Sequence, residues 1–283
     1  MTVFKDKTNL SNFILKLKQR DTSIGLVPTM GALHDGHASL IREGLKENDV
    51  VVVSIFVNPT QFNRSEDLTN YPRNFEKDLE FLANVSEDHI IVYAPSVDDI
   101  YEEGVDSECF DFDGLEHEME GKFRPGHFDG VGTIIKKLFN IIKPKSAYFG
   151  KKDYQQLLII KKLAEKEQLD VAVKGCDIYR DKNGLAMSSR NERLTPLQLK
   201  AAPFIYETLK TAKIKFGTKS AMQLTQWVKA QFKHNDFLKL EYFLIANAKT
   251  LKTIERKSTK NKYRAFIAVY AGEVRLIDNI ALN

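Results

Sequence analysis

The stretch SIGLVPTMGALHDGHASLIREGLKE, residues 23–47, decides the fold of this chain. The apolar run 24–27 predicts a buried strand, which Pro28 should end because proline cannot donate a hydrogen bond to a neighbouring strand. Apolar residues then recur at helical spacing, so a helix is expected after a short loop. His34 and His37 lie at the start of this helix, three residues apart and on one face. Unpaired N–H groups and the helix dipole make such a helix start suitable for phosphate.

A second strand is predicted at residues 49–57, which read DVVVVSIFV. An apolar run without alternation is typical of a central parallel strand that is covered on both faces. Strand, helix and strand then form a right-handed βαβ unit. The loops at 28–30 and 58–61 follow the two strands at the same edge of the sheet, where open α/β sheets bind ligands.

Length and composition indicate a globular protein of one large or two moderate domains. It has 283 residues, of which 43% are hydrophobic and 28% are charged, both usual for soluble proteins. No apolar run reaches the roughly 18 residues of a membrane span, and the N-terminus lacks a signal-peptide pattern. Cys109 and Cys176 are too few for a disulfide framework. We therefore expect a cytoplasmic protein with reduced thiols and no membrane partner.

The formal net charge of +4 is too small to indicate nucleic-acid binding by itself. Seven basic residues are nevertheless concentrated near the C-terminus, with Glu255 as the only acidic residue among them. They are Lys249, Lys252, Arg256, Lys257, Lys260, Lys262 and Arg264. Such a run is most often a solvated surface, so no nucleic-acid partner is expected.

The rest of the first part of the chain continues to alternate between strands and helices. Helices are predicted at 4–19, 74–84, 131–142 and from about 154 to 167, and strands at 89–93, 147–149 and 171–176. A short edge strand is expected at 109–112, and a glycine-rich, cationic loop at 121–130. This alternation predicts an α/β fold, a Rossmann-like doubly wound parallel sheet.

The pattern changes after residue 178. Asn183-Gly184 is a strong hairpin signal, and Thr195-Pro196 is typical of a helix start. A second helix is expected at 220–233, followed by strands at 238–245, 263–270 and 274–277. We therefore predict two domains: residues 1–178, Rossmann-like, and residues 179–283, a smaller C-terminal α+β domain.

The motif His34-Asp35-Gly36-His37 has three interpretations. Zinc-protease helices space their histidines at i and i+4 with a glutamate between them, which does not fit here. Helix capping and phosphate binding are supported about equally by these four residues. Gly36 would let a nucleotide approach the backbone, and both imidazoles can donate a hydrogen bond to oxygen.

Two further segments are suited to phosphate. Residues 187–190 (MSSR) offer two hydroxyls and a guanidinium, which forks onto phosphate oxygens. Residues 150–153 (GKKD) lie at a strand end and a helix start, again at the crevice edge. Three phosphate-suited segments in one chain favour a nucleotide site over three unrelated loops.

Five sequence blocks occur in order along the chain. They are Pro28-Thr29-Met30-Gly31 with His34-Asp35-Gly36-His37; Phe56-Val57-Asn58-Pro59-Thr60-Gln61-Phe62; Arg124-Pro125-Gly126-His127-Phe128; Phe149-Gly150-Lys151-Lys152-Asp153 with Gln155-Gln156; and Met187-Ser188-Ser189-Arg190. Together, these blocks closely resemble the pantoate–β-alanine ligase family (pantothenate synthetases) of the HxGH nucleotidylyl transferase superfamily. The resemblance runs from about residue 20 to 200, while the C-terminal domain matches in size and element order only.

The resemblance implies a set of site residues. Catalysis would involve His37, His34 and Lys152, with His37 and Lys152 on the phosphates where charge develops. Gln61 and Gln156 would bind the substrates, pantoate and β-alanine. ATP would be bound by Met30, Gly31, Ala32, Leu33, His34, Asp35, Gly36, His37, Gly150, Lys151, Lys152, Asp153, Tyr179, Met187, Ser188, Ser189 and Arg190. Mg²⁺ would be held mainly by the ATP phosphates.

The implied reaction is the ATP-dependent condensation of (R)-pantoate with β-alanine through pantoyl adenylate, giving pantothenate, AMP and diphosphate. Loop 121–130 and the C-terminal domain are the expected lids, and a homodimer is expected. The nearest alternative is another HxGH-type nucleotidyltransferase. An RNA-binding synthetase fragment and a metallohydrolase that uses His34 and His37 are more distant alternatives.

Overall fold

The structure, a computed structural model, describes residues 1–62, 65–69, 71–102, 104–254 and 256–283, the side chains of Ser65 and Asp67 excepted. Glu255, the acidic residue within the basic C-terminal run, lies outside the described residues. The chain folds into two compact units, Met1–Asp177 and Ile178–Asn283. In the described part of the chain, no helix is both long enough and apolar enough to cross a membrane.

The first unit is built on a six-stranded sheet in which every neighbouring pair is parallel. The strand order is β1-β4-β3-β2-β5-β6. The strands are β1 (Thr2–Phe4), β2 (Ile24–Thr29), β3 (Val50–Ile55), β4 (Ile90–Tyr93), β5 (Ser146–Gly150) and β6 (Ala172–Cys176). The predicted α/β class with a doubly wound parallel sheet is confirmed.

Helices surround this sheet. They are α1 (Lys7–Lys18), α2 (Asp35–Glu47), α3 (Ser65–Thr69), α4 (Phe75–Val85), α5 (Val97–Ile100), α6 (Met119–Phe123), α7 (His127–Ile142) and α8 (Tyr154–Lys166). Single 3-10 turns occur at Pro59–Gln61, Leu115–His117 and Lys151–Asp153.

Both faces of the central strand β3 are covered. Val51 and Val53 pack in one cluster with Ile41 of α2 and Leu82 of α4. Val52 points to the opposite face, because side chains alternate along a strand, and it is also fully buried. This explains why residues 50–53 of β3 form an apolar run rather than an alternating pattern.

The strand order places a topological switch point between β2 and β5. From β2 the chain adds β3 and then β4 on one side, and it later returns to the other side with β5 and β6. Because the strands are parallel, the segments after β2, β3 and β5 leave the sheet at the same edge. Open α/β sheets bind ligands at such a point.

The second unit contains three helices and a three-stranded antiparallel sheet of order β7-β8-β9. The helices are α9 (Pro196–Ala201), α10 (Phe204–Phe216) and α11 (Ala221–Phe232), preceded by a 3-10 helix at Ser189–Arg193. The strands are β7 (Lys239–Asn247), β8 (Tyr263–Ala271) and β9 (Val274–Ala281). The smaller α+β architecture predicted for this region is confirmed, although two helices were expected where the described residues form three.

The prediction that Pro28 ends the first strand was wrong. β2 runs through Pro28 to Thr29, pairing with β3 along its whole length. Its pairing with β5 covers only Gly25 and Leu26. At Pro28 the strand therefore has a neighbour on one side only, and this edge-like position tolerates a residue without an N–H group.

The edge strand predicted at 109–112 was also wrong. Side chains of α7 take up backbone donors there: the Phe110 N–H donates to Asp129 Oδ1 (3.0 Å) and the Glu108 N–H donates to Thr133 Oγ1 (2.8 Å). The sheet edge is formed instead by β1, which pairs in parallel with β4.

The predicted loop 121–130 was too long, because α6 extends into it and α7 begins within it.

Helix α7 packs closely against the loop that follows β3, and this depends on Gly130. A Cβ atom at Gly130 would lie 2.6 Å from the carbonyl carbon of Thr60 and 2.8 Å from the Gln61 nitrogen. Backbone atoms cannot rotate away as a flexible side chain can. The approach of α7 to Thr60 and Gln61 therefore requires glycine at position 130.

We expect Gly130→Ala to destabilise the protein by about 1–3 kcal/mol, the usual result of overpacking. Gly217→Ala is the matched control. A Cβ at Gly217 meets nothing within 4 Å and its φ of −58° is helical, so this variant should be neutral or more stable by up to about 1 kcal/mol. Thermal unfolding of both variants, followed by circular dichroism, is the measurement. Equal melting temperatures would contradict the packing argument.

Candidate active site

The loop after β2 is held in an unusual backbone conformation by one buried carboxylate. Gly31 and Ala32 have φ values of +80° and +49°, which are in the left-handed region. Asp78 of α4, only 4% exposed, accepts from the Ala32 N–H (3.1 Å) and from the Leu33 N–H (2.7 Å). A Cβ at Gly31 would lie 2.9 Å from Asp78 Oδ2, so glycine lets the carboxylate approach the loop.

Asp78 was not among the predicted site residues, although the sequence carried a signal for it. It lies three residues after Phe75 and four before Leu82, on the face of the helix that turns to the core. A carboxylate on an apolar face must find donors, because a buried, unpaired charge is very unfavourable. Here its partners are the N–H groups of the proposed nucleotide loop.

His34 and His37 cap α2. His34 is the N-cap residue, and its Nδ1 accepts from the Gly36 N–H (3.1 Å). The Nδ1 of His37 accepts from the His34 N–H (3.3 Å), completing a reciprocal capping box. The two rings stack with centroids 4.0 Å apart at 29°. Capping and phosphate binding, which the sequence left as alternatives, are compatible because capping uses only the Nδ1 atoms.

This arrangement fixes the protonation of both rings. Burial, followed by the Lys152 ammonium, lowers the pKa of His34 to about 4. Burial, His34 and Lys152 together lower the pKa of His37 well below its ordinary value. Both imidazoles are therefore neutral at pH 7. Since each Nδ1 accepts a hydrogen bond, each proton is on Nε2, and each ring offers one Nε2–H donor.

Lys152 lies across the switch point from the histidines. It belongs to the 3-10 turn Lys151–Asp153, directly after β5, and its charge acts on both imidazoles. Its side chain is 16% exposed, and its Nζ lies 3.6 Å from Asp153 Oδ1. The structure thus brings together two predicted segments that are more than 110 residues apart in the chain.

The other predicted residues of these segments occupy the same sheet edge. Gly150 ends β5, and Lys151 Nζ lies 2.6 Å from Asp177 Oδ1, an exposed ion pair. Asp153 is exposed at the N-terminus of α8. Asp35 is exposed in the first turn of α2, and Gly36 donates its N–H to the cap.

Gln61 contacts the loop that follows β2, the proposed nucleotide-binding loop, through Met30. Its Nε2 lies 2.8 Å from the Met30 sulfur, and its Oε1 accepts from Asn58 Nδ2 (3.3 Å). Asn58, 1% exposed, also donates to the Gly130 carbonyl (3.0 Å) and accepts from the Tyr101 hydroxyl (2.5 Å). The sequence did not identify Asn58 or Tyr101 as residues that anchor this turn.

His127 holds the same turn from α7. Its Nδ1 is 2.8 Å from the carbonyl oxygen of Gln61, to which it donates because a carbonyl can only accept. Burial, and then the neighbouring Arg124, lowers the pKa of His127 to about 4. His127 is therefore neutral with its proton on Nδ1, the opposite tautomer to His34 and His37. Arg124 also donates to the Gln61 carbonyl (3.2 Å).

The two adjacent glutamines of α8 have different roles. Gln155 is 4% exposed. It donates to the carbonyls of Leu115 (2.8 Å) and Glu118 (2.7 Å) and accepts from the Glu120 N–H (3.0 Å), so it is fully used in holding this loop. Gln156 is half-buried, and its side-chain amide forms no hydrogen bond with any described residue. Gln156 is the glutamine whose donors and acceptors are available to a ligand.

The remaining predicted residues belong to the second unit. The Met187 N–H donates to the Tyr179 carbonyl (3.0 Å), so these two positions are neighbours. Ser188 caps the 3-10 helix Ser189–Arg193 by accepting from the Arg190 N–H (3.3 Å). Ser189 is buried and Tyr179 is 40% exposed.

Comparison with known proteins gives consistent relatives. The profile of the family described as "Pantoate-beta-alanine ligase" matches residues 2–281. The pantothenate synthetase of Christiangramia forsetii is 55% identical over 283 residues, and that of Flavobacterium psychrophilum is 54% identical over 283 residues; in both cases all of each chain is covered.

Solved structures agree with the sequence relatives. Pantothenate synthetase from Thermus thermophilus superposes with a TM-score of 0.89 at 34% identity, covering 100% of this chain and 99% of that one. The Francisella tularensis ligase, solved in complex with "Beta-gamma ATP and Beta-alanine", gives a TM-score of 0.81 at 37% identity, covering 100% and 98%. On these grounds, the chain belongs to the pantoate–beta-alanine ligase family.

Proposed function

We propose that this protein uses ATP to condense pantoate with β-alanine, giving pantothenate, AMP and diphosphate through pantoyl adenylate. The observation that carries the proposal is the meeting of two neutral, stacked imidazoles with the Lys152 ammonium at the switch point of the sheet. Gln61, which touches the same loop through Met30, supplies the substrate side.

The ATP phosphates are the ligand that this edge suits best. Residues 30–37 offer a helix start and two Nε2–H donors, and Lys152 offers a positive charge. Gly150, Lys151 and Asp153 would contribute to the same nucleotide site. In the second unit, Tyr179, Met187, Ser188, Ser189 and Arg190 are further proposed ATP-binding residues. The Francisella tularensis ligase was solved in complex with "Beta-gamma ATP and Beta-alanine", which supports nucleotide binding within the family.

The first step would activate the acid. The carboxylate of pantoate attacks the α-phosphorus of ATP, a P–O bond forms, and the bond to the leaving diphosphate breaks. Negative charge grows on the phosphate oxygens during this step. Fixed donors that are already oriented toward such oxygens usually provide the largest electrostatic stabilisation. We assign that role to His37, His34 and Lys152.

Neutral imidazoles donate hydrogen bonds here rather than transferring a proton. His34, with a pKa of about 4, has already lost its second proton at pH 7, and the pKa of His37 is shifted in the same direction. Transfer of the remaining Nε2 proton would create an imidazolate, which is far less favourable. Alignment of the two reactants would supply much of the remaining rate, for which about 7–11 kcal/mol is available.

The second step would form the amide. The β-alanine amine, in its uncharged form, attacks the acyl carbon of the adenylate, the C–N bond forms, and AMP leaves with the electrons of the C–O bond. The nitrogen loses one proton to water as it becomes the amide. Gln61 and Gln156 suit the binding of pantoate, because an amide can both donate to a carboxylate and accept from a hydroxyl.

Mg²⁺ would accompany the ATP phosphates, whose oxygens are ligands that it prefers. Over the ranges described, no group of three or more His, Cys, Asp and Glu side chains is arranged to hold a metal. When bound, Mg²⁺ neutralises phosphate charge. The lid role of residues 179–283 and of loop 121–130, the homodimer and the cytoplasmic location stay predictions.

The rival enzymes differ in testable ways. A metallohydrolase that bound its metal through Nε2 of His34 and His37 would need the proton of each neutral ring on Nδ1, but both Nδ1 atoms accept a hydrogen bond from a backbone N–H group. Another nucleotidyltransferase would not depend on pantoate. An RNA-binding role rests only on the basic C-terminal run.

Exchange of labelled diphosphate into ATP tests the proposal. With Mg²⁺ and ATP present, we expect exchange only when pantoate is added, because the reversible first step needs the carboxylate. β-Alanine should then divert the intermediate to pantothenate, detected by mass spectrometry. Exchange that proceeds equally without pantoate would exclude this substrate assignment.

We expect His37→Asn to lower the exchange rate by about 10²–10³-fold, the effect of losing one preorganised donor. Asparagine can still cap α2 near the position of Nδ1 but has no group near Nε2. His37→Gln is the matched variant, because its amide nitrogen reaches the Nε2 position. It should retain more activity than His37→Asn. Similar rates for wild type and His37→Asn at unchanged melting temperature would remove His37 from the mechanism.

Gln156→Ala should raise the KM for pantoate about tenfold or more, the equivalent of one lost polar contact, without a change in melting temperature. Gln155→Ala is the neighbouring control. It removes the partner of three backbone groups, so it should lower the melting temperature. Steady-state kinetics and thermal unfolding of both variants are the measurements, and an unchanged pantoate KM in Gln156→Ala would contradict the assignment.

A further inference from the structure

A buried ion pair in the second unit joins the hairpin after Tyr179 to the last strand. Arg180 NH1 and NH2 donate to the two carboxylate oxygens of Asp278 on β9, at 2.6 and 2.9 Å. The side chains are 15% and 4% exposed. The Arg180 guanidinium also lies over the ring of Tyr206 in α10, 3.6 Å from its centroid. None of these three residues has a role in the chemistry described above.

The ion pair anchors the turn between two proposed nucleotide contacts. Arg180 NH1 donates to the Gly184 carbonyl (3.1 Å), and Arg180 forms an antiparallel bridge with Ala186. The hairpin is closed by the Met187 N–H, which donates to the Tyr179 carbonyl (3.0 Å). Arg180 therefore lies next to Tyr179 in the chain and opposite Ala186, the neighbour of Met187. Its position determines the direction in which the two sides of the turn run.

The same network continues to the serines and Arg190. Asn191 Nδ2 donates to the Ala186 carbonyl (3.1 Å), and the Asn191 N–H donates to the Ser188 carbonyl (2.9 Å). Ser188 in turn accepts from the Arg190 N–H. The chain from 179 to 191 is thus one hydrogen-bonded segment, and the Arg180–Asp278 pair is its charged attachment to the sheet.

Stability alone does not account for such a pair. Removing two charges from water is costly, and well-packed apolar residues of similar size are often as stable as a buried ion pair or more so. The pair does, however, fix the relative orientation of the two segments that carry it. A guanidinium and a carboxylate joined by two parallel hydrogen bonds have one preferred relative orientation, and Tyr206 restricts it further by covering one face of the guanidinium.

We propose that Arg180 is a positioning residue: through Asp278 and Tyr206 it holds residues 179–190 in the conformation that binds ATP, without touching the substrates of the reaction itself. This rests on the proposed function in one respect, the assignment of Tyr179 and Met187–Arg190 to ATP. Loss of the ion pair should then weaken the binding of ATP and leave the binding of pantoate and β-alanine unchanged.

Two variants test this. Arg180→Lys keeps the positive charge but loses the fork, and the double variant Arg180→Met with Asp278→Leu replaces the pair by apolar side chains that keep the unit folded. In both we expect the KM for ATP to rise about tenfold, with the KM values for pantoate and β-alanine within about twofold of wild type; such a split reports lost binding of one substrate. The double variant should keep a melting temperature near that of wild type.

Arg275→Lys is the matched control. Arg275 is also on β9 and its Nε lies 2.7 Å from Glu241 Oε2, so the same substitution is made in an ion pair outside the hairpin. Its three KM values should equal those of wild type.

An unchanged KM for ATP in both Arg180 variants would overturn the proposal, even if Arg180→Lys melted earlier, since the pair would then be only structural. A parallel rise in all three KM values would overturn it as well. Calorimetric titration of each protein with ATP alone distinguishes failure of the positioning role from failure of the proposed reaction. Wild type that lacks pantoate-dependent exchange but binds ATP more tightly than the Arg180 variants would contradict the reaction and support the positioning role.

Discussion

The acceptance of two backbone N–H groups by the Asp78 carboxylate is the interaction on which the candidate site depends. It holds Ala32 and Leu33 in a turn that includes two left-handed residues. Hydrogen bonds to a charged group contribute about 1.5–3 kcal/mol each, enough to offset the strain of one non-glycine residue with positive φ. The position of this loop determines where α2 begins, and therefore where its capping histidines lie.

Helix capping determines which nitrogen of each histidine ring is left for the proposed chemistry. A histidine that caps with Nδ1 is left with its proton on Nε2, and burial beside Lys152 keeps it neutral. His127 has the opposite tautomer because its Nδ1 faces a carbonyl. The backbone thus sets which imidazoles donate outward, so that no proton has to move before ATP binds.

Much of the fold could be predicted because β2, α2 and β3 have strong, local signals: continuous apolar strands, helical spacing and a capping pattern. The wrong predictions have identifiable physical causes. β1 is three residues long and carries no pattern of its own. The backbone N–H groups of Glu108 and Phe110 donate to Thr133 and Asp129, which belong to a helix and lie 25 and 19 residues further along the chain. Of the residues that shape the site, Asp78 had a visible signal, a carboxylate on an apolar face. Asn58 and Tyr101 had none, since their hydrogen bond joins positions 43 residues apart.

The sequence by itself determined the class of fold, the edge of the sheet at which the candidate ligand-binding segments lie, and the family resemblance, because periodicity and motif spacing are properties of neighbouring residues. Only the tertiary structure decided which nitrogen of each histidine is protonated, which of two adjacent glutamines is available to a ligand, and which charges hold the loops. Those properties depend on partners that folding brings together from distant parts of the chain, such as Asp78 with Leu33 and Arg180 with Asp278.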